Sequence, residues 1–207
     1  MTKTVFLDRD GVVNRRPPEG DYVTRWEDFH ILPGVVEGIA QLNRAGFDVI
    51  VVTNQRCIAK GLMTAADLEE MHQQMSDSLA RAGATINAVY YCPHEVEQSC
   101  DCRKPSPGML LDAASSRGID LRASWMIGDS DIDVEAGKNA GCKTARLLTE
   151  NETFDGRASG PGASSSADVI ASSLLDAIGQ ILQRESAAAG SLTTVHAAPR
   201  TLSGTHR

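Results

Sequence analysis

Short apolar runs rich in β-branched residues alternate along this chain with segments whose apolar residues recur at helical spacing. Runs that are hydrophobic at nearly every position are typical of strands buried on both faces. Parallel strands need long crossovers, usually helices, so the alternation predicts an α/β fold with a central parallel sheet covered on both faces. The predicted strands are TVFLD, FDVIVVT, INAVYYC, SWMIGD, KTARLL and ADVIAS.

Helix start and stop signals mark the segments between these runs. Residues 33–46 open with a proline and stop at a glycine, and residues 64–83 open with capping-box spacing and stop at a glycine. A last helix is predicted over 174–185. The polar, breaker-rich segment 151–166 indicates a loop. The sequence from 186 to 207 is rich in Ala, Ser, Thr and Gly without periodicity, which predicts a flexible tail after a single 1–185 domain.

Composition narrows the class of protein. A net charge of −7 over 207 residues argues against a nucleic-acid partner. No apolar run approaches the roughly 20 residues that span a bilayer, and the start of the chain lacks the apolar core of a signal peptide. We therefore expect a monomer in the cytoplasm, with neither membrane nor nucleic acid as a partner.

Polar residues follow four of the predicted strands. Because ligands of an open parallel sheet bind beyond the carboxyl ends of its strands, these residues are the candidates for a functional site. In chain order they are Asp8, Asp10, Thr53, Asn54, Gln55, Cys92, His94, Lys104, Asp129, Asp131 and Asp133.

The carboxylates among these residues predict a cation site. Clustered carboxylates repel one another unless a hard cation neutralises them, and oxygen ligands suit Mg²⁺. Asp8, Asp10 and Asp129 fit such a site, and Lys104 with Thr53 would complete a cradle for a phosphoryl group. One aspartate could then attack phosphorus while its neighbour two residues on handles protons.

The same residues have other interpretations. Each aspartate alone is a common turn or N-cap residue. An EF-hand loop starting at Asp129 would need glycine where Val134 stands and glutamate where Ala140 stands. A phospho-accepting receiver module would place its aspartate after an interior strand, whereas here the acidic pair follows the first. His72 lacks partners by spacing and is predicted to be structural or exposed.

Three cysteines and a histidine crowd into one short stretch. Cys92, His94, Cys100 and Cys102 have the form C-x-H-x₅-C-x-C, which matches a closed, tetrahedral structural zinc site. The alternative is a disulfide or free thiols, and a cytosolic location disfavours the disulfide. Four protein ligands leave no open position, so the zinc would only hold the loop that leads into Arg103 and Lys104.

Four sequence blocks resemble those of a known family. DRDG, VVTNQ, CRKP and GDSDID, in this order, are similar to the signature blocks of the haloacid-dehalogenase (HAD) phosphatases. With CPHEVEQSCDCRKP added, the chain resembles the branch that contains heptose 1,7-bisphosphate 7-phosphatases and histidinol-phosphate phosphatases. The resemblance implies a Rossmann-like three-layer α/β/α fold with a minimal cap, and a Mg²⁺-dependent phosphatase.

The resemblance also implies roles for individual residues. Asp8 would form an aspartyl-phosphate, and Asp10 would protonate the leaving oxygen and then activate water. Thr53 and Lys104 would hold the phosphoryl oxygens. Asp8, the main-chain carbonyl of Asp10 and Asp129 would bind Mg²⁺, supported by Asp133, and Arg103 would recognise the substrate.

The two activities of this branch leave two substrates open. TNQRCIAKG and CRKPSPGML favour the 7-phosphate of a heptose 1,7-bisphosphate, whereas the short spacer between His94 and Cys100 favours histidinol phosphate. Ser130 is a departure, because some heptose enzymes have lysine there. Arginine guanidinium groups would bind the second phosphate of a bisphosphate through bidentate hydrogen bonds. The residues expected to contact substrate are Arg15, Arg16, Asn54, Gln55 and Arg103.

Overall fold

The computed structural model describes residues 2–148 and 167–193. Within these ranges six strands form one sheet in which every neighbouring pair is parallel. This confirms the predicted α/β class, and each strand ends within two residues of its predicted run. The strands are β1 (Thr4–Leu7), β2 (Asp48–Asn54), β3 (Ala88–Cys92), β4 (Trp125–Gly128), β5 (Lys143–Leu147) and β6 (Val169–Ala171).

Helices connect the strands in the described part of the chain. The α-helices are α1 (Val35–Arg44), α2 (Ala65–Arg81), α3 (Gly108–Arg117), α4 (Asp131–Ala140) and α5 (Leu174–Thr193). The predicted capping box of α2 is confirmed, because the Thr64 side chain accepts from the Asp67 N–H at 3.1 Å and Asp67 reaches back to the Thr64 N–H. No helix within the described ranges is both long and apolar enough to cross a bilayer.

The sheet is covered on both faces, because consecutive side chains of a strand point to opposite sides. In β1, Val5 and Leu7 pack with buried residues of α1, α2 and α5. Phe6, between them, packs on the other face with buried residues of α3 and α4. The arrangement is the predicted three-layer α/β/α fold.

The order of the strands determines where a ligand binds. The sheet runs β3-β2-β1-β4-β5-β6, so the chain moves outward from β1 to β3 and then returns to β4 on the other side of β1. Ligands of doubly wound sheets bind where this direction reverses, beyond the carboxyl ends of the strands. Asp8 follows β1 and Asp129 follows β4 at this point, and the Asp8 N–H donates to the Ile127 carbonyl at 2.9 Å.

A long connection, residues 8–34, covers this edge of the sheet. Its regular secondary structure consists of one 3₁₀ turn, Trp26–Asp28, and isolated β-bridges, one of which pairs Asn14 with Ile31. In the part of the chain that the structure describes, no separate cap domain lies over the site.

The last helix is longer than predicted. It was predicted to end at residue 185, before a disordered or weakly docked tail, whereas α5 continues to Thr193. Three consecutive alanines follow Ser186, and alanine has the highest helix propensity. The remaining tail, 194–207, and the predicted loop 151–166 lie outside the described residues, so the division at residue 185 stays a prediction there.

Candidate active site

A cavity of about 540 Å³ opens at the carboxyl ends of β1 and β2, beside the start of α4. Residues of both charge signs line it. Eight of the predicted catalytic and substrate-contacting residues are among them, namely Asp8, Asp10, Arg16, Thr53, Asn54, Gln55, Arg103 and Lys104. Distant segments of the chain therefore meet here, as the positions after the strands predict.

Asp8 is a buried carboxylate, 8% exposed, at the end of β1. Its Oδ1 accepts a hydrogen bond from Lys104 Nζ at 2.7 Å. Burial raises the pKa of Asp8 to about 7; Lys104 opposes the shift, and the carboxylates of Asp133 and Asp129 add to it. Asp8 therefore lacks enough positive charge around it to be fully ionised, and an added cation would favour its ionised, nucleophilic form.

Lys104 is buried with its ammonium between two carboxylates. Nζ lies 2.7 Å from Oδ1 of Asp8 and 2.7 Å from Oδ1 of Asp133, and it also donates to the Val52 carbonyl at 2.8 Å. Burial lowers the pKa of Lys104, but the two carboxylates outweigh burial and raise it above its usual value. The ammonium is thus held charged beside the Asp8 oxygen.

Asp10 has a different environment, composed of hydrogen-bond donors. Arg9 Nη2 lies 3.0 Å from both of its oxygens, Asn14 Nδ2 lies 2.9 Å from Oδ1, and Gln55 Nε2 lies 2.9 Å from Oδ2. Burial acts to raise the pKa of Asp10, but Arg9 and these hydrogen bonds outweigh it and the pKa lies below its usual value. The pKa values of Asp8 and Asp10, which are two residues apart, are thus shifted in opposite directions.

Asp129 and Asp133 complete a cluster of three carboxylates with Asp8, whose oxygens lie within 4.8 Å of one another. Glycines make room for the two later aspartates. A Cβ on Gly11, where φ is +95°, would lie 1.9 Å from Oδ2 of Asp129, and a Cβ on Gly128 would lie 2.1 Å from the Asp133 Cβ. A side chain at either position would displace a carboxylate of the cluster.

The Arg16 guanidinium lies against this cluster. Its Nε donates to Asp129 Oδ2 at 2.9 Å, and its Nη2 contacts Asp129 Oδ1 and lies 3.5 Å from the main-chain carbonyl of Asp10. Burial raises the pKa of Asp129 and Arg16 partly offsets the rise. The Arg16 cation thus already contacts two of the groups predicted to bind Mg²⁺, and these groups offer the oxygen ligands that Mg²⁺ prefers.

The cysteine cluster has the geometry of a tetrahedral metal site. The Cys100 sulfur lies 3.6 Å from that of Cys92 and 3.5 Å from that of Cys102. His94 Nδ1 lies 3.6 Å from Cys92 Sγ and 3.3 Å from Cys102 Sγ. Tetrahedral zinc with Zn–S bonds of about 2.3 Å needs sulfurs roughly 3.8 Å apart, so these residues fit the ion. Arg103 Nη1 donates to the His94 carbonyl at 3.1 Å, which ties the cluster to the cavity.

The two amide side chains that were expected to contact substrate are engaged within the protein. Asn54 donates to the Lys104 carbonyl and accepts from the Lys104 N–H, each at 3.1 Å. Gln55 Nε2 donates to Asp10 and, at 2.8 Å, to Thr53 Oγ1. Both amides therefore position catalytic candidates, and both also line the cavity, so their contact with substrate stays a prediction.

The neighbouring residues Arg15 and Arg16 differ in their position relative to the cavity. Arg16 lines the cavity, whereas Arg15 is not among the described residues that line it, so its expected substrate contact is not supported. The cause is the extended backbone, in which Asn14 pairs with Ile31 and the Arg15 N–H donates to the His30 carbonyl at 2.8 Å. Consecutive side chains of an extended segment alternate, so Arg15 lies on the opposite side from Asn14 and Arg16.

Two residues near Asp10 were missed by the sequence analysis. Arg9 is fully buried, and His72 on α2, predicted to be structural or exposed, is buried with Nε2 3.2 Å from Arg9 Nη1. The position of Arg9 between two aspartates was a signal for it. His72 lies within the Met71 and Met75 stripe of α2, so only its burial could have been predicted.

Comparisons with known proteins agree with this geometry. A model of the HAD-hydrolase-like family matches residues 101–177. The D-glycero-beta-D-manno-heptose-1,7-bisphosphate 7-phosphatase of Escherichia coli K12 is 38% identical over 179 residues, which are 83% of this chain and 90% of that protein. The protein of the same name from Rhodopseudomonas palustris is 42% identical over 157 residues, 72% of this chain and 84% of that protein.

A solved structure is similar over nearly its whole length. It is a D,D-heptose 1,7-bisphosphate phosphatase from B. bronchiseptica complexed with magnesium and phosphate. The TM-score is 0.76 at 33% sequence identity, and the match covers 88% of this chain and 99% of that one.

Proposed function

The chain belongs to the haloacid-dehalogenase family of phosphatases and is a phosphoric monoester hydrolase, and on that premise we propose that it removes the 7-phosphate of D-glycero-D-manno-heptose 1,7-bisphosphate with the help of Mg²⁺. One observation carries the proposal. Asp8 lies at the cavity with Lys104 on one oxygen and two further carboxylates beside it. Relatives that bear this activity in their names match most of the chain.

The first step is phosphoryl transfer to Asp8. An Asp8 oxygen attacks phosphorus, the bond from phosphorus to the sugar oxygen breaks, and an aspartyl-phosphate forms. Phosphoryl transfer depends mainly on positioning and on electrostatic stabilisation of the equatorial oxygens. The Lys104 ammonium and the Thr53 hydroxyl provide these contacts. Both residues are buried and line the cavity.

The second residue of the pair, Asp10, moves protons. It donates a proton to the departing sugar oxygen and then takes one from the water that attacks the aspartyl-phosphate, which releases phosphate and restores Asp8. Arg9, Asn14 and Gln55 hold its carboxylate in place through these steps. The lowered pKa of Asp10 makes its protonated form a strong donor to an alkoxide, although less of that form is present.

Two metals are part of the proposal. Asp8, the Asp10 carbonyl and Asp129 would hold Mg²⁺, with Asp133 behind them, and the ion would neutralise the carboxylates so that a phosphate dianion can approach. Zn²⁺ would be held by the four residues of the cysteine cluster and would have no chemical role. It would hold the segment that carries Arg103 and Lys104 against the cavity.

The substrate assignment rests on the relatives and on charge. The names of the relatives specify the β anomer, so the β-1,7-bisphosphate is the substrate to test first. Arg16 and Arg103 line the cavity and suit the second phosphate of a bisphosphate. The ammonium of histidinol phosphate would meet these cations at the same place, which disfavours it.

The test compares kcat/KM for phosphate release from the two substrates. We expect the wild type to prefer the heptose bisphosphate, and Arg103→Ala to lower kcat/KM for it by about tenfold, the effect of one lost charged contact. Arg117→Ala, an exposed arginine at the far end of α3, is the matched control and should change nothing. Higher efficiency with histidinol phosphate in the wild type would replace the heptose assignment by that alternative.

A further inference from the structure

The Arg9 guanidinium is fully buried, and each of its three nitrogens has a hydrogen-bond partner. Nε and Nη2 donate to the Asp10 carboxylate, at 3.3 Å and 3.0 Å. Nη1 has two further contacts, the Met71 sulfur at 3.9 Å and His72 Nε2 at 3.2 Å. The Phe29 ring, with its centroid 5.7 Å from Arg9 Cζ, lies against the guanidinium. The cation is thus held between Asp10 on one side and α2 on the other.

The contact with Arg9 determines the protonation of His72. A guanidinium offers donors only, so the imidazole nitrogen that faces it must accept, which leaves the proton of a neutral ring on Nδ1. Burial lowers the pKa of His72 to about 3, with a further contribution from the Arg9 charge, while Asp10 acts weakly in the opposite direction. The neutral acceptor form is therefore the one present at neutral pH.

We propose that His72 is a positioning residue for Asp10, acting through Arg9. The inference rests on the proton-transfer role proposed for Asp10. His72 touches neither substrate nor the reacting atoms; it fixes the rotation of the guanidinium that binds both Asp10 oxygens. The two residues are 63 positions apart in the chain, so the contact depends on α2 packing over the segment that follows β1.

The loss of this acceptor should change the orientation of the Asp10 carboxylate. Without His72, Nη1 keeps only the sulfur of Met71, which is a weak acceptor at a long distance. A guanidinium with a free end can turn, and the carboxylate that it holds turns with it. Proton transfer needs a donor within about 2.6–3.2 Å of the oxygen that leaves, so a small rotation lowers kcat while substrate binding is kept.

The experiment compares His72→Leu, which removes the acceptor, with His72→Gln, whose side-chain oxygen can replace it. The readouts are kcat and KM with the heptose 1,7-bisphosphate and the burst rate of p-nitrophenolate release from p-nitrophenyl phosphate, a first step whose leaving group needs no proton. We expect His72→Leu to lower kcat for the sugar substrate by roughly tenfold, a part of the 10²–10⁴ that general acid–base catalysis provides. KM should be unchanged, the burst rate with p-nitrophenyl phosphate should fall by less than about twofold, and His72→Gln should recover most of kcat.

Controls separate this effect from destabilisation and from the proposed function. Met75→Ala, one turn further along α2 and fully buried, carries a packing loss and should leave the ratio of kcat for the sugar substrate to the p-nitrophenyl phosphate burst rate unchanged. Asp10→Asn should show the same dependence on the leaving group in a stronger form; if it does not, the role of Asp10 is wrong. If Asp10→Asn behaves so but His72→Leu loses both activities equally, or neither, the positioning role is overturned. Should His72→Leu fail to fold, Arg9→Lys, which keeps the charge and loses the fork, must give the leaving-group-dependent loss.

Discussion

The ammonium of Lys104 lies 2.7 Å from the carboxylate of Asp8, although 96 residues separate the two in the chain. Both side chains are buried, and the same ammonium is 2.7 Å from Asp133. A buried charge that loses its partner is costly, because nothing replaces the solvation it gave up. The pair therefore links the folding of the site to its chemistry.

Lys104→Met should reduce both stability and activity. We expect a loss of about 3–5 kcal/mol in the free energy of unfolding, since two buried carboxylates lose their counter-ion. The kcat should fall by roughly 10²–10³, the effect of removing one donor to a developing charge. Urea unfolding and phosphate release measure the two losses. Lys138→Met, an exposed lysine on α4, is the control, and a Lys104→Met protein as active as this control would contradict the role.

Asp8→Asn should abolish turnover, because an amide cannot form the acyl phosphate. Residues that act as one catalytic unit are not additive, so Asp8→Asn with Asp10→Asn should be little worse than Asp8→Asn alone. Steady-state kcat of Asp8→Asn, of Asp10→Asn and of the double variant tests this. Substantial turnover by Asp8→Asn would rule out covalent catalysis at this residue.

Arg16→Met should tighten metal binding. The guanidinium lies on Asp129 and near the Asp10 carbonyl, so an incoming ion has to displace it. Because the Arg16 side chain is 52% exposed, the ion pair is a modest competitor, and we expect affinity for Mn²⁺ to rise by up to about fivefold. Titration of the metal-free protein followed by the paramagnetic resonance of free Mn²⁺ measures this without turnover. Arg15→Met is the matched control; equal affinities for the two variants would show that Arg16 does not compete.

Purified protein should carry close to one zinc per chain, held by the cysteine cluster. Cys100→Ser should lose the metal and disorder the loop, while the core stays folded because only one loop depends on the ion. The kcat/KM should fall as well, since Arg103 is held by the His94 carbonyl. Elemental analysis and circular dichroism test the two parts, and freshly purified protein without zinc would eliminate the site.

Stability should depend on pH through His72. Its pKa is lowered by burial to about 3, below the usual 6.5, so between these values the unfolded chain binds a proton that the native protein does not. The contribution of His72 to the free energy of unfolding is fully present above pH 6.5. It decreases on acidification, by up to about 1.4 kcal/mol per pH unit. Urea unfolding of wild type and His72→Gln at about pH 7, 6 and 5 measures it. The curve of His72→Gln should be flatter; parallel curves would mean that His72 is protonated in the native state.

The strands and the convergence of the carboxylates were predictable because their signals are local. A strand buried on both faces needs an apolar side chain at nearly every position, as in FDVIVVT, and this pattern is visible without any partner. The aspartates after β1 and β4 converge because all parallel strands end at one edge. The spacing of Cys92, His94, Cys100 and Cys102 spans one loop, so its geometry follows from the chain itself.

What each polar side chain does was decided by tertiary contacts. Asn54 follows a strand as Asp8 does, yet its amide is engaged by the main chain of Lys104, 50 residues away. Arg15 and Arg16 are identical in type and adjacent, and only the extended backbone around Asn14 assigns one to the cavity.

The sequence by itself determined the α/β fold, the edge of the sheet that carries the cavity and the convergence of Asp8 and Asp129 there. Only the tertiary structure decided that Arg9 and His72 support Asp10, that Arg16 lies on Asp129, and that Gln55 joins Asp10 to Thr53. The physical reason is that periodicity and spacing report burial and local geometry. A hydrogen bond between distant residues depends instead on how helices and loops pack, and that packing is set by the whole chain.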